Sequence, residues 1–164
     1  MTKAIPSGFH TITPSLIVTD PAKALDFYKR AFGAQETDRF MSPDGKGVMH
    51  AYFKVGDSTV MLGSEFPPNC LSPKSRGGTS VSLYLYVENA DTSFDRAVKA
   101  GSTVKMPIMD QFWGDRCGVV EDPFGHQWSI ATHKQDLTKE QIAENAKAFF
   151  ANMGKKQAPE MATA

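Results

Sequence analysis

The chain has 164 residues, of which 41% are hydrophobic and 22% charged, so it is long enough and apolar enough to build one domain with a substantial core. Eighteen basic residues balance eighteen acidic ones, with no long run of either sign, which excludes the electrostatic footprint of a nucleic-acid or anionic-membrane binder. Two cysteines, Cys70 and Cys117, in no ligand-like or redox spacing suit a reducing compartment.

Met1 to Pro6 carries no apolar signal core, and the apolar stretch Val81–Val87 is far too short to span a bilayer. A cytoplasmic protein, without membrane contact, is expected.

The next residues begin a repeat. A shift of 69 residues places Leu16 on Leu85, Val18 on Val87, Asp20 on Asn89, Leu25 on Phe94, Asp26 on Asp95, Ala31 on Ala100 and Gly56 on Gly125. Such self-similarity decides architecture before any local reading does.

Each copy opens with a strand, Thr13–Thr19 and Ser80–Val87. In the second, Val81, Leu83, Leu85 and Val87 share one face, and Ser82, Tyr84 and Tyr86 the other. A helix follows, N-capped by Asp20 or Asn89, with Pro21 in the first turn where a missing N–H costs nothing. Leu25, Tyr28 and Phe32 form its buried stripe in one copy, and Phe94, Ala97 and Val98 in the other.

Three strands complete each unit, separated by turns at Ser42-Pro43-Asp44-Gly45, Gly56-Asp57 and Asp122-Pro123-Phe124-Gly125. In Val48–Val55, Ala51, Phe53 and Val55 alternate with His50, Tyr52 and Lys54, so His50 and Tyr52 face a cavity if the apolar set lies under the helix. Trp128 and Ile130 alternate with Ser129 and belong under the second helix. Between the copies, Glu65–Gly78 reads as a mobile linker or lid.

After the second copy, Thr138-Lys139-Glu140-Gln141 is a capping box, followed by an amphipathic stripe of Ile142, Ala146, Phe149, Phe150 and Met153. Gly154–Ala164 is expected to fray. The class is therefore α+β: two βαβββ repeats forming paired curved mixed sheets around a cavity, plus a C-terminal helix. Residues 1–137 form the domain (repeat one about 11–64, linker 65–78, repeat two about 79–133), and 138–164 the helix and tail.

The stretches Leu16–Ala34, Phe112-Trp113-Gly114-Asp115-Arg116 and Asp122–His133 resemble the vicinal-oxygen-chelate superfamily (glyoxalase, bleomycin resistance, dioxygenase), in particular its PhnB-like branch. The resemblance covers roughly residues 9–137. It implies two sheets cupping a divalent metal held by His and Glu side chains, a Lewis acid for vicinal oxygens of the substrate.

Carried over one position at a time, those ligand positions fall on Thr13, Ser82, Ser129 and either Met61 (by resemblance) or Val60 (by the internal offset). Hydroxyls and a thioether lack the charge and donor strength such ions require. The expectation is a cup without its usual metal and without another cofactor.

The remaining polar residues suggest a ligand site. Trp113, Asp115 and Arg116 offer an aromatic wall, an acceptor and a charged fork at the cavity mouth, unless Arg116 merely pairs with Asp115 or Glu121. Tyr84 and Tyr86 join them, with His50 as candidate general base or hydrogen-bonding partner. His126 and His133 read as exposed.

The leading expectation is a homodimer binding a small organic molecule through His50, Tyr52, Tyr84, Tyr86, Trp113, Asp115 and Arg116, as a binder or divergent enzyme. One alternative is a metal-dependent lyase, dioxygenase or transferase with relocated ligands such as His50 with Glu65 or His126. The other is a drug-sequestering resistance protein, disfavoured by zero net charge.

Overall fold

The computed structural model describes residues 2–157, with side chains to Asn152; the tail expected to fray lies largely outside them. Two four-stranded sheets of identical topology form from the two copies. Sheet one is ordered β1(Ser15–Val18)-β4(Ser58–Ser64)-β3(Val48–Val55)-β2(Gln35–Met41). Sheet two is ordered β5(Ser82–Tyr86)-β8(Gln127–His133)-β7(Asp115–Glu121)-β6(Thr103–Asp110). In each, the first pair is parallel and the others antiparallel, the mixed sheet expected from a repeated βαβββ order.

The crossover helices are α1(Pro21–Phe32) and α3(Ala90–Ala100), with the short α2(Pro73–Arg76) between the copies. Asp20 accepts Lys23 N–H at 3.1 Å and Asn89 accepts Thr92 N–H at 3.0 Å, so both N-caps form as the sequence directs. Gly33 closes α1 in the left-handed region, φ 68°.

The two copies share one core. Phe27, Tyr28 and Phe32 of α1 meet Phe53 of sheet one and Phe124 and Trp128 of the second copy. Trp128 is core, as its alternation requires; its strand packs on α3, and its ring also reaches Phe32 of α1, at 4.5 Å. The cause is helix pairing: Arg30 Nη1 donates to Ala100 O (3.2 Å) and Arg96 Nε to Ala31 O (2.8 Å). The two acceptors, Ala31 and Ala100, are equivalent under the 69-residue shift, so each helix of the pair receives a guanidinium from the other at the same place near its C-terminus.

The turn Asp122–Gly125 pins the copies together. Asp122 is buried; one carboxylate oxygen accepts Tyr28 OH (2.8 Å) and Trp128 Nε1 (3.0 Å), the other Phe124 and His126 N–H. Burial, then the Asp122 charge, drives the Tyr28 phenol well above its ordinary pKa and keeps it a donor.

Three expectations are refined. Thr13 precedes β1, because Pro14 has no N–H for a ladder and the strand begins at Ser15. The linker carries a short helix of its own: Ser72, fully buried, caps α2, its N–H donates to Glu65 Oε1 (2.7 Å), and Pro73 packs against Gly125. The slip between Met61 and Val60 is settled by register: Leu16 pairs with Leu62 and Leu85 with Ile130, making Met61 the counterpart of Ser129. The offset falls from 69 to 68 at the crossover helix, which has twelve residues in α1 and eleven in α3, so that the capping Gly33 and Gly101 are already 68 apart.

The C-terminal helix α4(Lys139–Gln157) starts with the reciprocal capping box: Thr138 N–H to Gln141 Oε1 (2.8 Å) and Gln141 N–H to Thr138 Oγ1 (3.2 Å). Its Phe149 and Phe150 contact Phe112 in the β6–β7 turn, at 5.6 and 5.8 Å between centroids.

Candidate functional site: a buried carboxylate on the open face of sheet two

In each sheet one face meets the helices and core while the other stays open. On sheet one, Ala51, Phe53 and Val55 are buried; His50, Tyr52 and Lys54 lie opposite, as their alternation implies. On sheet two, Gly118, Val120, Trp128 and Ile130 face the helices, while Tyr84, Tyr86, Asp115, Cys117, Val119, Ser129, Ala131 and His133 share the open face.

Local sequence sets Asp115 in place. The Gln111–Gly114 turn closes with Gly114 N–H on Gln111 O (3.1 Å), and Gly114 O accepts the N–H groups of Lys134 and Gln135 (3.0 and 3.1 Å). Gly114 has φ +100°, and a Cβ there would collide with the Gln135 carbonyl, so glycine is required. β7 then starts at Asp115, directly opposite His133.

Asp115 is only 3% exposed, and donors converge on it. His133 Nδ1 lies 2.8 Å from Oδ1, while Tyr84 OH, Tyr86 OH and Trp113 Nε1 all donate to Oδ2 at 3.1 Å. The two tyrosines reach from β5 across β8 because the intervening open-face residues, Ser129 and Ala131, are small. Burial pushes the Asp115 carboxyl up, but donation from His133, Tyr86, Trp113 and Tyr84 outweighs it and holds the group below its usual pKa.

His133 is clamped on both nitrogens, Nδ1 by Asp115 and Nε2 by Asp136 (3.0 Å). Ionised carboxylates only accept, so this geometry calls for the doubly protonated ring; hydrogen bonding to Asp115, then Asp136, raises its pKa. Burial, followed by the Cys117 and Asp115 neighbours, raises the Tyr84 phenol.

The structure thus brings together Tyr84, Tyr86, Trp113 and Asp115, and adds His133, which is exposed at the end of β8 as expected but turns Nδ1 onto Asp115. Its contact depends on the β7–β8 register, a non-local quantity. Arg116 does not join. Alternation turns it to the helix face, where Nε and Nη2 grip Asp91 (2.7 and 2.6 Å) and Nη1 Asp110 (3.1 Å), and neither Asp115 nor Glu121 is its partner.

His50 and Tyr52 form a separate group on sheet one. The His50 ring stands edge-on to Tyr52 (5.1 Å), and Phe40 and Phe9 complete an aromatic patch about Tyr52 (5.5 and 5.4 Å). No hydrogen bond or ring contact joins this patch to the Asp115 cluster among the described residues.

The inherited metal positions do not fit a divalent ion. Ser82 Oγ and Ser129 Oγ hydrogen-bond each other (3.0 Å), Thr13 Oγ1 donates to His10 O (3.0 Å), and Met61 offers only a thioether. The relocated candidates are dispersed: Glu65 is engaged by Ser72, and His126 Nε2 lies 3.0 Å from Ile17 O. Among the described residues, no three His, Cys, Asp or Glu side chains gather as a metal-holding group.

Comparison with known proteins agrees with this architecture. The model of the Glyoxalase/Bleomycin resistance protein/Dioxygenase superfamily matches residues 8–130. The Mycobacterium bovis protein Mb0911c is 44% identical over 135 residues, 80% of this chain and 88% of its own. TioX from Micromonospora sp. ML1 superposes with a TM-score of 0.59 at 29% identity, over 79% of this chain and all of that one. A PhnB protein from Bacillus cereus shares the fold, with a TM-score of 0.58 at 20% identity over 75% of this chain and 99% of that one. With a family model spanning both repeats and a relative of this identity, the chain belongs to the Glyoxalase/Bleomycin resistance protein/Dioxygenase superfamily.

Proposed function

We propose that this protein binds a small organic molecule on the open face of sheet two, without a divalent metal at the superfamily's usual positions. The observation that carries the reading is the Asp115 cluster. A buried carboxylate accepts four hydrogen bonds, and three of them fix two tyrosines and a tryptophan whose rings border an open surface, with Tyr84 46% and Tyr86 61% exposed. Convergent polar groups among aromatic walls are the ordinary makings of a ligand site.

Asp115 itself works as a positioning residue: it already accepts four hydrogen bonds, three of them on Oδ2, and is shielded from solvent, so proton abstraction from a ligand is not its role. Closure of the cup calls for a second copy, since the His50–Tyr52 patch and the Asp115 cluster lie on different sheets. Exposed Phe40 and Met49 on one sheet and Tyr84 and Tyr86 on the other give apolar surface for such a homodimer to cover.

The test uses the full chain purified without chelators: metal analysis, light scattering and native mass spectrometry. The expected result is a dimer free of stoichiometric metal that retains an organic molecule, with the retained mass lost in Asp115→Asn. One equivalent of zinc, nickel or iron per chain, released in His50→Ala, overturns the reading in favour of relocated ligands.

A further inference from the structure

An apolar cavity of about 590 Å³ lies between β6 and α4, walled by Met106, Met109, Phe112, Trp113, Phe149 and Phe150. It belongs to the same open face as the Asp115 cluster: Met106 pairs with Val119 and Met109 with Cys117, and cross-strand partners share a face. Trp113 joins the two regions, its indole lining the cavity while Nε1 donates to Asp115. The face therefore runs from a polar end at β5 and β8 to an apolar end roofed by α4.

The polar end has a definite sign. Tyr84 and Tyr86 each have one hydroxyl proton, and both give it to Asp115. What they present outward is acceptor lone pairs, strengthened by donation to a carboxylate, together with ring faces that attract cations. His133, the cation of the cluster, has both nitrogens taken by Asp115 and Asp136. Arg116 is held on the opposite face, and no lysine forms an ion pair with the cluster among the described residues. A ligand carboxylate or phosphate would meet acceptors and negative charge.

We propose that the ligand is an amphiphilic organic cation, its ammonium or equivalent N–H donor held at the Tyr84 and Tyr86 oxygens and its aromatic or aliphatic body in the cavity under α4. The proposal rests on the reading that the open face of sheet two is the ligand face. It assigns α4, through Phe149 and Phe150, as the roof of the site, and Asp115 as the residue that selects charge by fixing which way the phenols point.

Calorimetric titration of the full-length protein with three matched probes, 4-phenylbutylammonium, 4-phenylbutanoate and 4-phenylbutan-1-ol, tests this. The ammonium is expected to bind about tenfold or more tightly than the carboxylate, with the alcohol between. Phe149→Ala/Phe150→Ala, which leaves both sheets intact and removes the ring contacts of α4 with Phe112, should weaken ammonium and alcohol alike by about tenfold, the scale of two lost ring contacts. Asp115→Asn should bring ammonium and carboxylate affinities together.

Equal or tighter binding of the carboxylate, or ammonium binding unaffected by the double alanine variant, overturns the inference, as does failure of all three probes to bind. Carboxylate or alcohol binding as tight as the ammonium would discard the cation while leaving a small-molecule binder. Selective ammonium binding by a chain that also holds one zinc would discard the metal-free reading and leave this one intact.

Discussion

At the scale of residues, two aspartates organise the molecule in different ways. Asp122 is structural: its four donors tie α1 to the second copy's turn and to Trp128. Tyr28→Phe removes one donor from a buried carboxylate and should cost about 1.5–3 kcal/mol, read as a lower urea midpoint at unchanged slope. Asp115 gathers the site, and its partner His133 gives a pH signature. Because the folded-state pKa of His133 is raised, its stabilisation is complete below the unfolded value of 6.5 and is lost as pH rises through the folded value. The melting temperature of the native protein should accordingly exceed that of His133→Gln on the acid side of neutrality, with the gap closing in alkaline buffer. A gap that widens with pH contradicts the clamp.

At the scale of elements, the helix caps, the capping box of α4 and the alternation of β3 were all legible from the residues, because each is a contact over a few positions. Gly118 was not. On β7 it faces α3 so closely that a Cβ would sit 2.6 Å from Phe94 Cε2 and 3.0 Å from Ile108 Cα. Its backbone is not in the left-handed region, so nothing in the local sequence marks it; the requirement comes from helix-on-sheet distance. Gly118→Ala should cost about 1–3 kcal/mol through overpacking, measured by denaturant unfolding. The contacts inside the linker are hidden from sequence for a related reason: a run of prolines and polar residues reads as a connector, whereas the burial of Ser72 and the packing of Pro73 on Gly125 depend on the second copy.

At the scale of the whole molecule, two sequence repeats do not make two folding units. Tyr28, Phe32, Phe53 and Trp128 interleave across the copies, and α1 pairs with α3. Unfolding should be one cooperative transition, with tryptophan fluorescence and far-ultraviolet dichroism giving coincident urea curves. A biphasic curve would mean the copies melt separately.

The sequence by itself determined the repeated βαβββ order, the capped helices and the faces of the central strands. These follow from periodicity, caps and residue identity, which act within a few positions of the chain. Only the tertiary structure decided that Met61 is the counterpart of Ser129, that Arg116 leaves the site for Asp91, and that His133 enters it. Each depends on strand register or helix approach, where one residue of slip reverses a face, and that register is fixed by turn lengths and a shared core across the copies.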